Sequence, residues 1–348
     1  MSWLVYGANG YTGELIARKA ASRGLRPILA GRSPGPVEGL ASELGLAHRV
    51  FGLESAPALD GGLEGVTVVL HCAGPFSRTS RPMADACLRR GAHYLDITGE
   101  VEVFESLAAR DAEARAHGSM LLPGAGFDVV PSDCLAAHLK RRLPTATRLA
   151  LGFQSSGRLS RGTATPLVEN LHRGGLVRRG GDLVRVPAGY RTRVIDFGRG
   201  PRAAVTIPWG DVSTAFHSTG IPDIEVYLAA PAALRFGLIA SRLFRPVLRS
   251  GPVQRSLKRR IQAGPPGPSA EGRARGQSLL WGEASDATGR RVVARLRTPD
   301  GYELTALTAL AIVERALAGD APPGFQTPSR AYGPDFILGI PGCERQDA

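Results

Sequence analysis

Three spaced glycines between an apolar run and a helical segment constrain this chain more than any other feature. Trp3-Leu4-Val5-Tyr6 reads as a strand, Gly7-Ala8-Asn9-Gly10-Tyr11-Thr12-Gly13 follows at once, and residues 13–22 read as a helix. A strand that turns sharply into a helix packed back against it needs a residue free to adopt positive φ at the turn, and Gly7 supplies it. Gly10 leaves the loop backbone open to close approach by a phosphate, and Gly13 lets the helix lie close; a glycine-rich turn with no ligand is the plainer alternative. The alternation then repeats. Apolar strands at residues 26–30, 66–71, 93–97 and 120–123 are separated by helices at 37–44, 80–90 and 101–117. Parallel neighbours need crossover connections, and strands that are apolar throughout need cover on both faces, so the pattern predicts an α/β fold with a doubly wound parallel sheet. In such sheets ligands lie beyond the carboxyl ends of the strands, which makes the residues just after each strand the candidates for chemistry.

After a helix at 132–142 the texture changes. Short β-type stretches at 148–153, 183–186, 192–197, 203–207 and 224–228 come first, and 279–285 and 291–298 then alternate as a hairpin does, with Ala287-Thr288-Gly289 as its turn. A helical stretch spans 231–258, residues 263–269 (Ala-Gly-Pro-Pro-Gly-Pro-Ser) form a loop, and 305–318 is strongly helical. At 348 residues the chain exceeds what a single core usually serves. A Rossmann-type domain is expected over 1–135, a mainly antiparallel α+β domain over 136–300, and a segment over 301–348 that returns to the first.

The end of the second strand selects among nucleotides. An NAD-specific site needs a carboxylate there for the ribose 2′-hydroxyl, but Gly31-Arg32-Ser33 stands in that place and no acid precedes Glu38. Arg32 would instead grip a 2′-phosphate with two parallel N–H bonds, and the Ser33 hydroxyl would add a donor. NADP(H) is therefore the expected cofactor, with an arginine that merely solvates the sheet edge as the alternative. After strand 66–71, Cys72-Ala73-Gly74-Pro75 stands where backbone should approach the nicotinamide-side ribose, and Gly74 removes an obstructing Cβ. Cys72 follows His71, but successive strand residues face opposite ways, so no base is at hand and a buried structural cysteine is the plainer reading.

With these motifs, Cys72-Ala73-Gly74-Pro75-Phe76, His93-Tyr94-Leu95-Asp96-Ile97-Thr98-Gly99-Glu100 and Gly124-Ala125-Gly126-Phe127-Asp128-Val129-Val130-Pro131-Ser132-Asp133 give the chain a family likeness. It resembles the saccharopine dehydrogenase-like NADP-binding oxidoreductases, and among them the branch of trans-acting enoyl reductases of polyketide-lipid assembly. Arg161-Gly162-Thr163-Ala164, Pro208-Trp209-Gly210-Asp211, Ser218-Thr219-Gly220-Ile221-Pro222 and Thr327-Pro328-Ser329 carry the likeness along nearly the whole chain. The resemblance implies a substrate and dimerisation domain inserted after the Rossmann domain, a homodimer, and hydride transfer from NADPH to a C=C or C=N bond. The region around Gly126-Phe127-Asp128 departs from the saccharopine-forming enzymes, which places an acyl, acyl-carrier-borne or lipid-like C=C substrate first and an amino-acid or polyamine imine second. A non-catalytic NADP-binding scaffold at a membrane is the reading from another class.

Four carboxylates stand at strand ends: Asp96, Glu100, Asp128 and Asp133. Reduction of a polarised double bond needs a proton as well as a hydride, and a carboxylic acid provides one near neutrality only if burial raises its pKa. Asp128 and Glu100 are the catalytic candidates. Helix capping is the competing role, for Asp133 beside Ser132 and for Glu100 at the first turn of its helix. Tyr94, His93, His172, His217 and Tyr190 remain as further alternatives.

The formal charge of +12 is an arginine charge, since Lys19, Lys140 and Lys258 are the only lysines. Residues 151–300 carry 24 basic and 10 acidic side chains and so hold the excess. No zinc-finger spacing, basic zipper or Arg/aromatic RNA motif accompanies it, which argues against a nucleic-acid partner and any metal site. From Arg158 to Arg202 the arginines suit a carboxylate or phosphate of a small-molecule substrate, or a solvated face. Over 229–260, apolar Leu234, Leu238 and Ile239 and basic Arg235, Arg242, Arg249 and Lys258-Arg259-Arg260 suit peripheral contact with an anionic bilayer, or a helix packed on its own domain or a partner. Cys72, Cys87, Cys134 and Cys343 form no CxxC pair and no signal segment opens the chain, so a reduced, cytoplasmic protein is expected.

Overall fold

The computed structural model describes residues 2–155, 160–162, 165, 168 and 171–348. Arg158, Thr163 and Ala164 of the basic cluster and its motif lie outside the described residues. The chain divides into two units, one of Met1–Val130 with Tyr302–Tyr332 and one of Pro131–Gly301 with Gly333–Ala348.

In the first unit the apolar runs become strands β1 (Ser2–Tyr6), β2 (Ile28–Gly31), β3 (His48–Val50), β4 (Val66–His71), β5 (His93–Asp96) and β6 (Met120–Leu122). Every pairing is parallel, and the order is β3-β2-β1-β4-β5-β6, with Gly324–Phe325 added beyond β6. This is the doubly wound Rossmann arrangement, whose direction of winding reverses between β1 and β4. Helices α1 (Tyr11–Ser22), α2 (Pro34–Leu44), α3 (Ala56–Gly62), α4 (Phe76–Arg90), α5 (Val101–Ala108) and α6 (Asp111–Ala116) make the crossovers. Leu4, Val5, Val68, Val69, Leu70 and Leu95 have no exposed surface, which is why these strands read as unbroken apolar runs. Gly45 and Gly91 close α2 and α4 with φ of +62° and +65°. The single helix expected over 101–117 is two, broken at Arg110, whose guanidinium binds both Asp85 and Glu113. The helix Gly301–Leu317 buries Leu304, Leu307, Leu310, Ile312 and Val313.

The second unit is built on a mixed sheet in the order β10-β11-β12-β7-β13-β14, closed by Glu344–Asp347 beside β14, so the last residues of the chain pair here. Its strands are β7 (Arg148–Ser155), β8 (Gly175–Arg179), β9 (Asp182–Val186), β10 (Thr192–Asp196), β11 (Pro201–Thr206), β12 (Asp223–Ala229), β13 (Gln277–Ser285) and β14 (Arg291–Pro299). Only β12 and β7 run parallel; the other pairings, including β8 with β9 and β12, are antiparallel. Helix α7 (Val130–Arg142) crosses one face, where a Cβ at Gly282 would come within 2.6 Å of Leu139. Ile195, Phe197, Ala204, Tyr227, Leu279 and Trp281 form a core on the other. Helix α8 (Asp211–Thr219) packs beside β12 and β8. The helical stretch expected over 231–258 is divided into α9 (Ala232–Ala240), α10 (Arg245–Arg249) and α11 (Gly251–Ala263), with breaks at Arg242–Phe244 and at Ser250, ahead of Pro252. No helix among the described residues is long and apolar enough to cross a membrane.

Candidate nucleotide and proton-transfer site

The glycine loop takes its shape from the strands on either side. Gly7 has φ +79°, its N–H donates to the Ala30 carbonyl at 2.7 Å, and a Cβ on it would stand 2.8 Å from the backbone nitrogen of Ala73. The end of β1 thus lies against both β2 and the segment after β4, at the point where the winding reverses. A Cβ at Gly13 would run into the Gly7 carbonyl oxygen, so α1 can begin only if that position is bare. Asn9 and Gly10 are exposed at the rim, and no side chain caps the helix at Gly10. The positive pole of α1 is thus left without a side-chain cap at the end of a glycine loop, which suits a pyrophosphate.

Gly31 ends β2 beneath this loop: a Cβ there would come within 3.1 Å of Asn9 Oδ1 and 3.0 Å of Val37. Arg32 follows on the surface and has no ion-pair partner among the described residues. Ser33 stands at the N-cap of α2, yet its hydroxyl makes no cap hydrogen bond. Past β4, Gly74 is exposed, and a Cβ on it would meet nothing nearer than 3.6 Å. The protein's own packing does not require glycine at 74, whereas close approach by a ligand would. Ala8, Tyr11, Thr12, Ala73 and Pro75 complete this edge. These features fit a dinucleotide carrying a 2′-phosphate.

Cys72 is half-buried, and burial raises its thiol well above the ordinary range, which favours the neutral thiol and a structural role over a nucleophile. His71 is fully buried among Tyr6, Phe76 and Tyr94; neither ring nitrogen has a hydrogen-bond partner, and loss of water holds its pKa down to about 3. It is a neutral ring in an aromatic cluster.

The carboxylates divide by what surrounds them. Asp96 ends β5 with no exposed surface and accepts hydrogen bonds from the Tyr94 hydroxyl at 2.6 Å and from the Thr98 and Gly124 N–H groups at 2.9 Å each. Its own carbonyl accepts the Ala125 N–H at 2.6 Å, so Asp96 ties the ends of β5 and β6 together. Burial pushes its carboxyl up to about 6 in spite of those donors. Glu100 accepts the N–H groups of Phe76 at 2.8 Å and Ser77 at 2.9 Å, one on each carboxylate oxygen. It is thus the cap of α4 from 24 residues away. Asp133 lies in α7 of the second unit, buried, and accepts the Ser218 hydroxyl.

Asp128 sits just beyond β6, and burial of its carboxyl pushes it up to about 6. That carboxyl lies over Gly99, where a Cβ would stand 2.8 Å from Oδ2, so Gly99 makes the room it occupies. The loop carrying it is fixed from the helix Gly301–Leu317: the Thr305 hydroxyl accepts the Phe127 N–H at 3.0 Å, and the Thr308 hydroxyl donates to the Ala125 carbonyl at 2.8 Å. Sequence reasoning did not find Gly99, Thr305 or Thr308, although two threonines three apart in an apolar helix are a signal. His93 is structural, its Nδ1 accepting the Met120 N–H at 3.1 Å.

In the second unit much of the arginine excess is already engaged. Arg178 donates to the carbonyls of Val212 and Gly181 and lies 4.1 Å over the Phe216 ring. Arg179 and Arg191 both bind Glu225, and Arg193 grips Glu283 with one nitrogen while lying over Trp281. Arg191 also stacks on the exposed Tyr190.

Comparison with known proteins agrees with this geometry. Residues 3–122 match the saccharopine dehydrogenase NADP binding domain. Among curated proteins, the trans-acting enoyl reductase of Mycobacterium ulcerans is 33% identical over 147 residues, covering 40% of this chain and 35% of that protein. The human saccharopine dehydrogenase-like oxidoreductase is 26% identical over 162 residues, covering 40% and 37%. The match thus spans little more than a third of either relative's length. Among solved structures, apo saccharopine dehydrogenase (L-Glu forming) from Saccharomyces cerevisiae superposes with a TM-score of 0.65 at 11% identity, covering 100% of this chain and 99% of that one. Homospermidine synthase from Legionella pneumophila, in complex with NAD, gives 0.61 at 11% identity, covering 99% and 91%. At such identities these two speak for the fold. Residues 3–122 of this chain are therefore similar to the saccharopine dehydrogenase NADP binding domain, and the fold around them is that of the solved saccharopine dehydrogenase.

Proposed function

We propose that this protein is an NADPH-dependent reductase that saturates a C=C bond in an acyl or lipid-derived substrate, with Asp128 as proton donor. The carrying observation is the juxtaposition, at the carboxyl ends of one parallel sheet, of a glycine loop whose helix has no side-chain cap, an exposed Arg32 with no ion-pair partner among the described residues and a carboxyl pushed up to about 6 over Gly99. The likeness to trans-acting enoyl reductases over 40% of this chain supports the choice of bond.

NADPH, when bound, supplies the hydride. The loop Gly7–Gly13 would hold its pyrophosphate, Arg32 and Ser33 its 2′-phosphate, and the backbone of Ala73–Pro75 would lie along its nicotinamide-side ribose. Asp128 would deliver the proton to the carbon of the double bond that does not receive the hydride: a carboxyl with a pKa of about 6 is still about one-tenth protonated at pH 7, against less than a thousandth at the usual carboxylate value. Glu100 is engaged at both oxygens in capping α4, so its part is to position the Ala73–Pro75 segment. Asp96 is held by three donors and positions the β6 end. A homodimer and an acyl-carrier-borne substrate belong to the same reading.

Binding and turnover test it separately. Quenching or energy-transfer fluorescence of NADPH on the purified protein should report binding, and Arg32→Ala should weaken NADPH at least about tenfold while leaving NADH nearly unchanged, the difference expected for one charge-assisted phosphate contact. Absence of NADPH binding would remove the basis of the reading. Oxidation of NADPH with an enoyl thioester, and none with a keto acid plus an amine, is the expected outcome; the reverse pattern would transfer the assignment to C=N reduction.

A further inference from the structure

Residues 226–270 contain eight arginines and lysines and not one aspartate or glutamate. Helices α9 and α11 of this stretch have no buried residue, and Leu234, Phe236, Leu243, Phe244 and Val247 are 49%, 71%, 81%, 56% and 53% exposed. Half of the large exposed apolar side chains of the described structure thus fall within fourteen residues. The segment is nevertheless seated. Arg242 donates to the carbonyls of Ala188 at 2.7 Å and Gly189 at 2.8 Å, and Ile239 lies where a Cβ at Gly189 would meet it at 3.3 Å. Leu238 and Ile239 of α9 therefore rest on the loop before β10, while Leu234 and Phe236 of the same helix stay exposed, as do Leu243 and Phe244 beyond it. On α11, Val253, Leu257 and Ile261 recur at helical spacing and are half-buried, whereas Arg255, Arg259 and Arg260 are exposed.

We propose that this surface docks on an anionic lipid bilayer. Contiguous exposed apolar side chains mark an interaction site, and cations without a single acid among them call for an anionic partner. A second copy meeting this face across a two-fold axis would set cations against cations with no carboxylate in the stretch to relieve them. A nucleic acid would satisfy the charge but leave phenylalanine and leucine tips without an apolar partner. Apolar tips projecting from a cationic surround match a bilayer interface, where acidic headgroups overlie acyl chains. The stretch holds no long apolar helix, so the protein would lie on the membrane, and docking there is independent of turnover.

Flotation of the full chain with vesicles tests this. Phosphatidylcholine vesicles containing phosphatidylglycerol should carry the protein at low salt, high salt should release it, and pure phosphatidylcholine should bind it weakly. Each cation near an anionic surface contributes about fivefold, so Arg255→Glu, Arg259→Glu and Arg260→Glu together should lower partition at least about a hundredfold. Phe236→Ser, Leu243→Ser and Phe244→Ser together should also abolish flotation, and since all three are exposed, thermal stability and NADPH binding should be retained. Absence of flotation by the parent protein, or flotation unchanged in both variants, would overturn the proposal. Conversion of a dimer to a monomer by the serine variant, without flotation of the parent, would overturn it in favour of an interface between copies.

Discussion

Replacing Glu100 distinguishes capping from catalysis. Its two carboxylate oxygens accept one N–H each from Phe76 and Ser77 at 2.8 and 2.9 Å, in the first turn of α4, where no other residue supplies an acceptor at the Pro75 N-cap. Glu100→Ala strips both bonds and the negative charge from the positive end of a 15-residue helix. A lost cap costs about 1 kcal/mol and a charge near the dipole about 0.5, and because Ser77 is exposed, water recovers part of the rest, so about 2 kcal/mol is expected. For a domain of this size that is a fall in Tm of about 4–8 °C by circular dichroism. Glu100→Gln keeps one acceptor and should lose about half as much. The Ala73–Pro75 segment leads directly into α4, so NADPH affinity should fall several-fold in the alanine variant and recover in the glutamine variant. If Glu100→Gln instead kept its Tm and its NADPH affinity while turnover fell by more than about a hundredfold, Glu100 would be the acid and the capping assignment would be wrong.

Three further outcomes follow from the titrating groups. Asp128→Asn should bind NADPH as the parent does and lose about a hundredfold or more in kcat, and unchanged kcat would dismiss Asp128 as donor. With a carboxyl at about 6 that must be protonated, the parent's single-turnover rate should be flat below that pH and fall about tenfold per unit above it; a rate rising with pH in that window would contradict the assignment. His71 works in the opposite sense on stability. Its folded pKa of about 3 lies below the ordinary 6.5, so its contribution is complete above pH 6.5 and is lost by about 1.4 kcal/mol per unit as pH falls toward 3. His71→Phe should flatten the denaturant-derived acid slope by about one proton, and an unchanged slope would show that another group controls it.

The nucleotide loop was legible because its demands are local. A sharp turn, a bare approach and a close helix each require glycine within seven residues, and Arg32 follows one strand by a single step. Strands buried on both faces were legible for the same reason, whereas β3, with two of its three residues exposed, left no apolar run to read. Glu100 was not legible. Its position at the start of α5 pointed to its own helix, but the amides it serves belong to α4, and only the packing of β5 beside β4 brings them within reach. Asp96 and Asp128 likewise look equivalent in sequence, each at the end of a strand and each raised to about 6 by burial. Three donors occupy one of them, and a missing Cβ at Gly99 accommodates the other.

The arginine excess shows where counting along a sequence misleads. Two clusters of the middle region have similar basic content, yet one of them is met by acids distant in sequence and the other contains no acid of its own. Arg179 and Arg191 converge on Glu225, which lies on β12, and Arg193 finds Glu283 on β13. Arg179 thus links β8 to β12, and Arg193 links β10 to β13. From 226 to 270 no acid exists to do the same, and the apolar residues that would bury the cations' stems are themselves exposed. A charge surplus is available to an outside partner where the chain supplies no acid beside it and the side chains stand exposed, as Arg255, Arg259 and Arg260 do in the helical stretch. The cost of leaving five large apolar side chains in water beside those cations is then the physical reason to expect a partner with both an acidic surface and an apolar interior.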